Sequence, residues 1–392
     1  MNDTKSRLRD YLNAKADTVS NADHGPGLEL DVASTSARRS WMPMALAAAS
    51  IGAVLILAVT FLSSLGGNQP EPAAQLLTGP VSTAAPKIPY TTLVHNNPDN
   101  PLDTWWAVLH DGKQQVKNPG AKGQVLSRLG DGWLVMTGYP DPKKSQPALL
   151  TADGKLEPLG PVGSISPVVS PDGKQIAVSV APFGDKTSRI VVVNVEDGKE
   201  AAAITLQSPN LGPLGWNKDG IWIHLSTFEP GQPVSVWQPG SAEPRALGKV
   251  AGNLTVGRGV DTVVQLAFKD NKGCFRVGPL GANGLELKHN YCPDNGIRAI
   301  FVGISPDGRT VAFSHGAALD VATGKVTKLR LPAGYQGSMK PIFEDPANVI
   351  LAGESTAKNA APKVIRCGVA TGECKVLVTV DGADTLDALV SP

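Results

Sequence analysis

Charge is scarce in this sequence. Asp, Glu, Lys and Arg make up 18% of its 392 residues, and 36 basic residues stand against 35 acidic ones. With no net field of either sign and no long basic run, nucleic-acid binding is disfavoured. No Walker loop, dinucleotide fingerprint, zinc-protease helix or calcium loop is present. The six histidines (His24, His95, His110, His224, His289 and His315) are scattered, and none stands beside a nucleophile. Gly163-Ser164-Ile165-Ser166-Pro167 lacks the closing Gly of a nucleophile elbow. Asn96 to Asp103 is rich in oxygen ligands, but its two prolines and loop position read as a solvated connection. The sequence therefore nominates no catalytic residue, no cofactor site and no metal site.

What the chain has in quantity is turn punctuation, with 42 Gly and 32 Pro. Together with the shortage of charged helix formers, this favours many short strands.

One apolar run is long enough to cross a membrane. From Trp41 to Leu62 only Ser50 and Thr60 carry hydroxyls, and no charged residue lies between Arg39 and Glu71. A hydrocarbon core of about 30 Å takes roughly 20 helical residues. Arg38 and Arg39 flank the N-terminal side and the next basic residue is Lys87. The positive-inside rule then keeps the N-terminus cytosolic and puts the C-terminal bulk outside. The competing reading is a cleaved signal peptide, with the Arg pair as a twin-arginine signal. Against it stand the length of the run and of the leader that precedes it.

These observations divide the chain. Residues 1–40 form a cytosolic tail of balanced charge, in which Leu8, Tyr11, Leu12, Lys15 and Val19 fall at helical spacing after Thr4. That short amphipathic helix suits either a partner or the membrane surface. Residues 41–63 are the expected transmembrane helix. Residues 64–89, rich in Pro, Ala, Gly, Ser and Thr, read as a flexible linker.

Residues 90–392 are organised by a repeat. Ser170-Pro171-Asp172-Gly173 introduces the alternating strand QIAVS, and Ser305-Pro306-Asp307-Gly308 introduces TVAFS, 135 residues further on. That separation is about three units of 45 residues. Weaker copies fill the gaps: Asp131-Gly132, Asp219-Gly220, Asp261 and Asp345-Pro346, each before an apolar strand. A second series runs in phase at Asp111-Gly112, Asp153-Gly154, Asp197-Gly198, Pro239-Gly240, Asn283-Gly284, Thr323-Gly324 and Thr371-Gly372. Gly, Asn and Asp accept the positive φ that hairpins need. Seven such hairpins at roughly this period predict an all-β, seven-bladed β-propeller of four-stranded blades, with six blades as the alternative. The end, Ala388-Leu389-Val390-Ser391-Pro392, mimics the strand before Ser170-Pro171. It is expected to complete a blade whose other strands are Tyr90–His95, Thr104–His110 and Gln114–Lys117, closing the ring.

The Ser-Pro-Asp-Gly turn followed by an alternating apolar strand, at 170–179 and 305–314, resembles the repeats of bacterial TolB-like and WD40-like propellers. Those families are mostly interaction modules, so the resemblance implies protein binding.

All four cysteines lie in the external part. Cys274 and Cys292 are symmetric about Asn283 of the Ala282-Asn283-Gly284 loop, and Cys367 and Cys374 flank the Val369–Gly372 turn. Two hairpin disulfides suit an oxidising compartment. A zinc site is the rival reading, but the pairs are far apart along the chain and no His stands at ligand spacing.

The connections between second and third strands are longer and more charged than the others, notably 139–146, 181–188, 227–232, 269–272 and 354–363. Variable loops on a rigid scaffold are where binding usually sits. The sequence thus reads as a membrane-anchored extracytoplasmic scaffold that binds a protein or cell-envelope component on its loop-rich face, with a tail able to report to a cytosolic partner. The alternative is a propeller hydrolase, lyase or lactonase with a site at the channel mouth.

Overall fold

The computed structural model describes residues 80–95, 105–112, 114–117, 124–138, 141–180, 186–208, 211–225, 232–250, 253–269, 272–281, 284–293, 301–357, 360–380 and 384–391. The tail, Arg38, Arg39 and the Trp41–Leu62 run lie outside them. Among the described residues no helix is long and apolar enough to cross a membrane.

The repeated turn shows how the sequence makes a blade. Ser170 Oγ donates to Asp172 Oδ1 at 2.7 Å and accepts from the Gln175 amide at 3.0 Å, while Asp172 Oδ1 accepts from the Lys174 amide at 3.1 Å. Gly173 supplies φ of 72°. Ser305, Asp307, Gly308 (φ 71°) and Thr310 reproduce the same ring of bonds. The bonds from Ser170 and the Lys174 amide hold the Asp172 carboxyl below its ordinary pKa. The chain is thus returned directly into an extended strand with its polar turn groups satisfied.

Seven antiparallel sheets result. Blade 1 begins with β1 (Tyr90–His95), β2 (Trp105–Asp111) and β3 (Gln114–Lys117). Blade 2 is β4 (Gln124–Leu129), β5 (Gly132–Thr137), β6 (Gln146–Leu150) and β7 (Leu156–Pro158). Blade 3 is β8 (Ser164–Val169), β9 (Gln175–Val180), β10 (Ser188–Asn194) and β11 (Glu200–Leu206). Blade 4 is β12 (Leu211–Asn217), β13 (Gly220–Leu225), β14 (Gln232–Trp237) and β15 (Arg245–Val250). Blade 5 holds β16 (Leu254–Val256), β17 (Thr262–Lys269) and β18 (Lys272–Gly281), with β19 (Gly284–Leu285) and β20 (His289–Tyr291) both paired to β18. Blade 6 is β21 (Val302–Ile304), β22 (Thr310–Phe313), β23 (Ala317–Asp320) and β24 (Val326–Lys328). In blade 7 the inner strand is split into β25 (Tyr335–Gly337) and β26 (Ile342–Asp345), both against β27 (Asn348–Ser355), followed by β28 (Lys363–Gly368) and β29 (Cys374–Thr379).

β30 (Asp384–Leu389) then returns to pair with β1, giving blade 1 the order β3-β2-β1-β30. The closing strand runs earlier than the tail motif alone indicates, and the motif itself makes two further ties. The Val390 amide donates to Pro89 O at 2.8 Å, and Ser391 O accepts from the Arg128 amide on β4 at 2.6 Å. Within this strand Asp387 receives a hydrogen bond from Thr91 Oγ1 at 3.2 Å, yet burial pushes its carboxyl pKa up. A carboxyl whose folded pKa exceeds its unfolded one favours folding most when protonated, and that advantage is lost as pH rises through the unfolded and then the folded value. Asp387→Asn is therefore expected to raise the urea midpoint at pH 7. The gain should vanish below the ordinary carboxylate range, and an unchanged difference at both pH values would contradict this reading.

The middle strands of a blade bury both faces, whereas outer strands such as β7, β11 and β24 are largely exposed. Val191 and Val193 pack with Leu129 and Leu134 of blade 2, whereas the alternating Ile190 and Val192 pack with Trp216, Ile221 and Trp237 of blade 4. Seven such clusters fill the clefts between neighbouring blades, the last joining Ile342, Ile350 and Val364 of blade 7 to Leu386 and Leu389 of β30.

Three details depart from the sequence reading. In the first turns of blades 2 and 5 the left-handed glycines are Gly130 (φ 58°) and Gly259 (φ 70°), upstream of Asp131-Gly132 and Asp261. In blade 5, Gly281 pairs directly with Gly284, so two residues rather than three form the tip, and one slip in register is absorbed before β20. The third concerns the segment expected to be a flexible linker over 64–89. Its last part, Val81 to Pro89, lies on the ring, with Val81, Pro86, Ile88 and Pro89 buried. Buried Arg366 of β28 donates to Ser82 O at 2.7 Å, Ala84 O at 2.9 Å and Ala85 O at 3.2 Å, and pairs with Glu344 through Nε at 2.6 Å and Nη2 at 2.8 Å. Glu344 in turn accepts from the Lys87 amide at 2.7 Å. A composition that reads as spacer is held because a distant ion pair satisfies its carbonyls.

Candidate functional site

The alternation of strands sorts the loops onto two ends of the ring. Turns joining first to second and third to fourth strands share one end, and they span two to five residues except 238–244 of blade 4. Connections at the other end are longer in most blades, but the long loop expected at 269–272 is a tight one, with Lys269 paired directly to Lys272, and only 314–316 separate β22 from β23. Cys274–Cys292 and Cys367–Cys374 each bridge the outer hairpin of a blade, with S–S of 2.07 and 2.05 Å. Restricting loops of 18 and 7 residues, they contribute roughly 2.5–3 kcal/mol each.

Much of the loop-rich end lies outside the described residues, including 181–185, 226–231 and 96–104. In the connection after β5 the described residues 138 and 141–145 fold on one another. Ser145 N donates to Asp141 O, Lys143 N donates to Asp141 Oδ1 at 3.0 Å, and Gly138 takes a φ of 73° where a Cβ would strike Lys144 O. Ser145 Oγ, buried, reaches Ser164 O at 2.6 Å and ties this loop to the next blade. Exposed Val162 and Phe301 also stand in connections at this end.

The clearer concavity is at the tight-turn end, at the mouth of the central channel. A cavity of about 520 Å³ opens between the inner strands and first turns of several blades. The Ser-Pro-Asp-Gly turns adjoin it through Pro171, Ser305 and Pro306, and Ser391 of the closing segment joins the wall. Asp172, Gly173, Asp307 and Gly308, singled out as repeat markers, belong to these turns without lining the cavity, and the two carboxylates serve their own turns.

Two cations line the cavity that sequence reasoning missed. Arg258 lies in the turn between β16 and β17 and reaches past blade 4 to blade 3, where its Nε donates to Ser170 O at 3.0 Å. Gly259 N anchors the same turn to Trp216 O of blade 4 at 3.1 Å. Desolvation lowers the Arg258 pKa, partly offset by the nearby Asp172 carboxylate. Lys340 lies in the break between β25 and β26, where Pro341 interrupts the inner strand. Lys340 is exposed, and desolvation by the surrounding protein lowers its pKa. The signal for Arg258 was present, since Gly257-Arg258-Gly259 stands in phase with the other first turns. For Lys340 only the following proline hinted at a break.

Three of the described histidines each have their own partner. His110 bonds Thr92 Oγ1 at 2.9 Å and stacks on Tyr90, His224 bonds Pro233 O at 3.2 Å, and His315 bonds the Tyr291 hydroxyl at 2.6 Å. Burial lowers the His315 pKa. Among the described residues no three of His, Cys, Asp and Glu converge to hold a metal.

No protein-family profile matches the chain, and no curated protein matches it. Solved structures do. TolB from Acinetobacter baumannii shares 15% identity over 82% of this chain and 70% of its own, with a TM-score of 0.44. A puromycin-hydrolysing peptidase of Mycobacterium tuberculosis shares 14% identity over 77% of this chain and 56% of its own, at 0.50. The Pyrococcus horikoshii acylaminoacyl peptidase shares 11% over 76% and 52%, also at 0.50. This chain spans about half the length of those two peptidases. At such identities the likeness is one of fold, and the fold is a seven-bladed propeller.

Proposed function

We propose that the protein is a binding scaffold of the cell envelope: a propeller outside the membrane, tethered by the Trp41–Leu62 helix, that engages a protein or envelope component on its loop-rich end. The observation that carries this reading is the clamp on residues 81–89. A scaffold must be held in a fixed attitude to its tether, and Arg366 with Glu344 fastens the end of the tether to blade 7. The strap, residues 81–89, lies at the tight-turn end, opposite the proposed binding end. Two disulfides support a location in an oxidising compartment.

Proximity labelling from the propeller in intact cells tests this, run beside chains lacking residues 1–40 or lacking the propeller. Labelled extracytoplasmic neighbours should persist without the tail and disappear without the propeller. If the set of neighbours is the same with and without residues 90–392, the reading is wrong.

A further inference from the structure

We infer that the cavity at the tight-turn end of the channel is a binding site for a small organic anion, one that presents a carboxylate or a phosphate to Lys340 and Arg258. This goes beyond the scaffold reading and is independent of it, because the two surfaces are at opposite ends of the ring.

The argument begins with charge. Lys340 and Arg258 come from different blades and face one cavity of about 520 Å³ whose described lining residues include no Asp or Glu, although the Asp172 carboxylate stands near Arg258. Among the described residues Lys340 makes no hydrogen bond or ion pair. An ammonium withdrawn from bulk water is costly unless an opposite charge accompanies it. A bound anion supplies that charge, and an apolar ligand does not.

Geometry narrows the class. Arg258 is not free to swing, since its Nε is fixed on Ser170 O at 3.0 Å, with the guanidinium carried across the first turn of blade 4. A positioned guanidinium favours planar or tetrahedral oxyanions. Thr255 also lines the wall. Ile304, Ile342 and Phe343 supply apolar wall beside the polar groups. The volume falls within the roughly 300–1,000 Å³ of small-molecule sites and exceeds what an inorganic ion fills. The ligand is therefore an anionic group on a small carbon framework.

Isothermal titration calorimetry on the detergent-solubilised full chain tests this, with glycerol 3-phosphate, succinate, inorganic phosphate and, as the neutral control, glycerol. At least one of the two organic anions should bind with a Kd at or below about 1 mM and more tightly than inorganic phosphate. Which of them binds identifies the head group. Lys340→Met should weaken that binding roughly tenfold, and raising the salt should weaken it in the wild-type chain. Lys340 is exposed within the channel, so its replacement leaves the core intact, and an unchanged urea midpoint verifies this. Arg258→Lys keeps the charge but loses the fork, and should weaken binding less than Arg258→Gln. The inference is overturned if neither organic anion binds at about 10 mM, if glycerol binds equally, or if Lys340→Met binds as the wild type does.

Discussion

Arg366→Ala is expected to lower the free energy of unfolding by about 3–5 kcal/mol, because it leaves the Glu344 carboxylate buried without its partner. The side chains are 3% and 2% exposed, and the guanidinium satisfies both the carboxylate and three strap carbonyls. Stability and strap attachment separate in a second variant. Arg366→Met combined with Glu344→Gln removes both charges and should recover much of the loss, since a buried pair adds little net stability over a neutral replacement. It cannot recover the strap, because methionine donates nothing to Ser82, Ala84 and Ala85, while water can reach them. Amide exchange over residues 81–89 should then stay fast in both variants while the blades remain protected in the double variant. Urea denaturation gives the first quantity and exchange mass spectrometry the second. Slow strap exchange in the double variant would show that apolar contacts of Val81 and Ile88 alone hold the segment, and the clamp would lose its assigned role.

The strap also marks where the sequence stopped being legible. Turn chemistry is local, so Ser170, Asp172 and Gly173 declared their hairpin within a few residues, and their copy at Ser305 declared the period. The disulfides followed from symmetry about a hairpin, which is again a short-range relation. Even ring closure was readable, because Val390-Ser391-Pro392 repeats a motif whose place in a blade was already fixed. By contrast, nothing in the Ala- and Pro-rich composition of 81–89 signals docking, since the arginine that holds Ser82 is 284 residues away in the chain. Arg258 and Ser170 are separated by 88 residues. Lys340 faces the channel only because Pro341 breaks the inner strand. The cavity was therefore invisible for the same reason that the loops were conspicuous: loop length is written along the chain, whereas convergence at an axis depends on closing the ring. The expectation of a loop-rich binding end and the cavity at the other end concern separate parts of one ring.

Removing residues 384–392 should do more damage than any single substitution. β30 is the inner strand of blade 1, and its loss leaves β1 with an unpaired edge toward the channel. Leu386, Leu389 and Val390 are 4%, 8% and 0% exposed. Burying such side chains contributes about 1.5–3 kcal/mol each. The sum is comparable with the entire net stability of roughly 5–15 kcal/mol typical of a folded domain. The deletion also opens the cleft packed by Ile342, Ile350 and Val364, and cuts the Ser391 tie to β4. Every other blade would survive as a local sheet, but the ring would have two free ends, and an exposed inner edge invites pairing between chains. The truncated protein is expected to keep strand content by circular dichroism, to lose its cooperative urea transition, and to elute as aggregate on size exclusion. A synthetic peptide of residues 384–392 added during refolding should restore part of the monomer, because it supplies the missing strand without a covalent link. A truncated chain that remains monomeric and unfolds at the wild-type midpoint would mean that the clefts between blades, and not the returning strand, keep the circle closed.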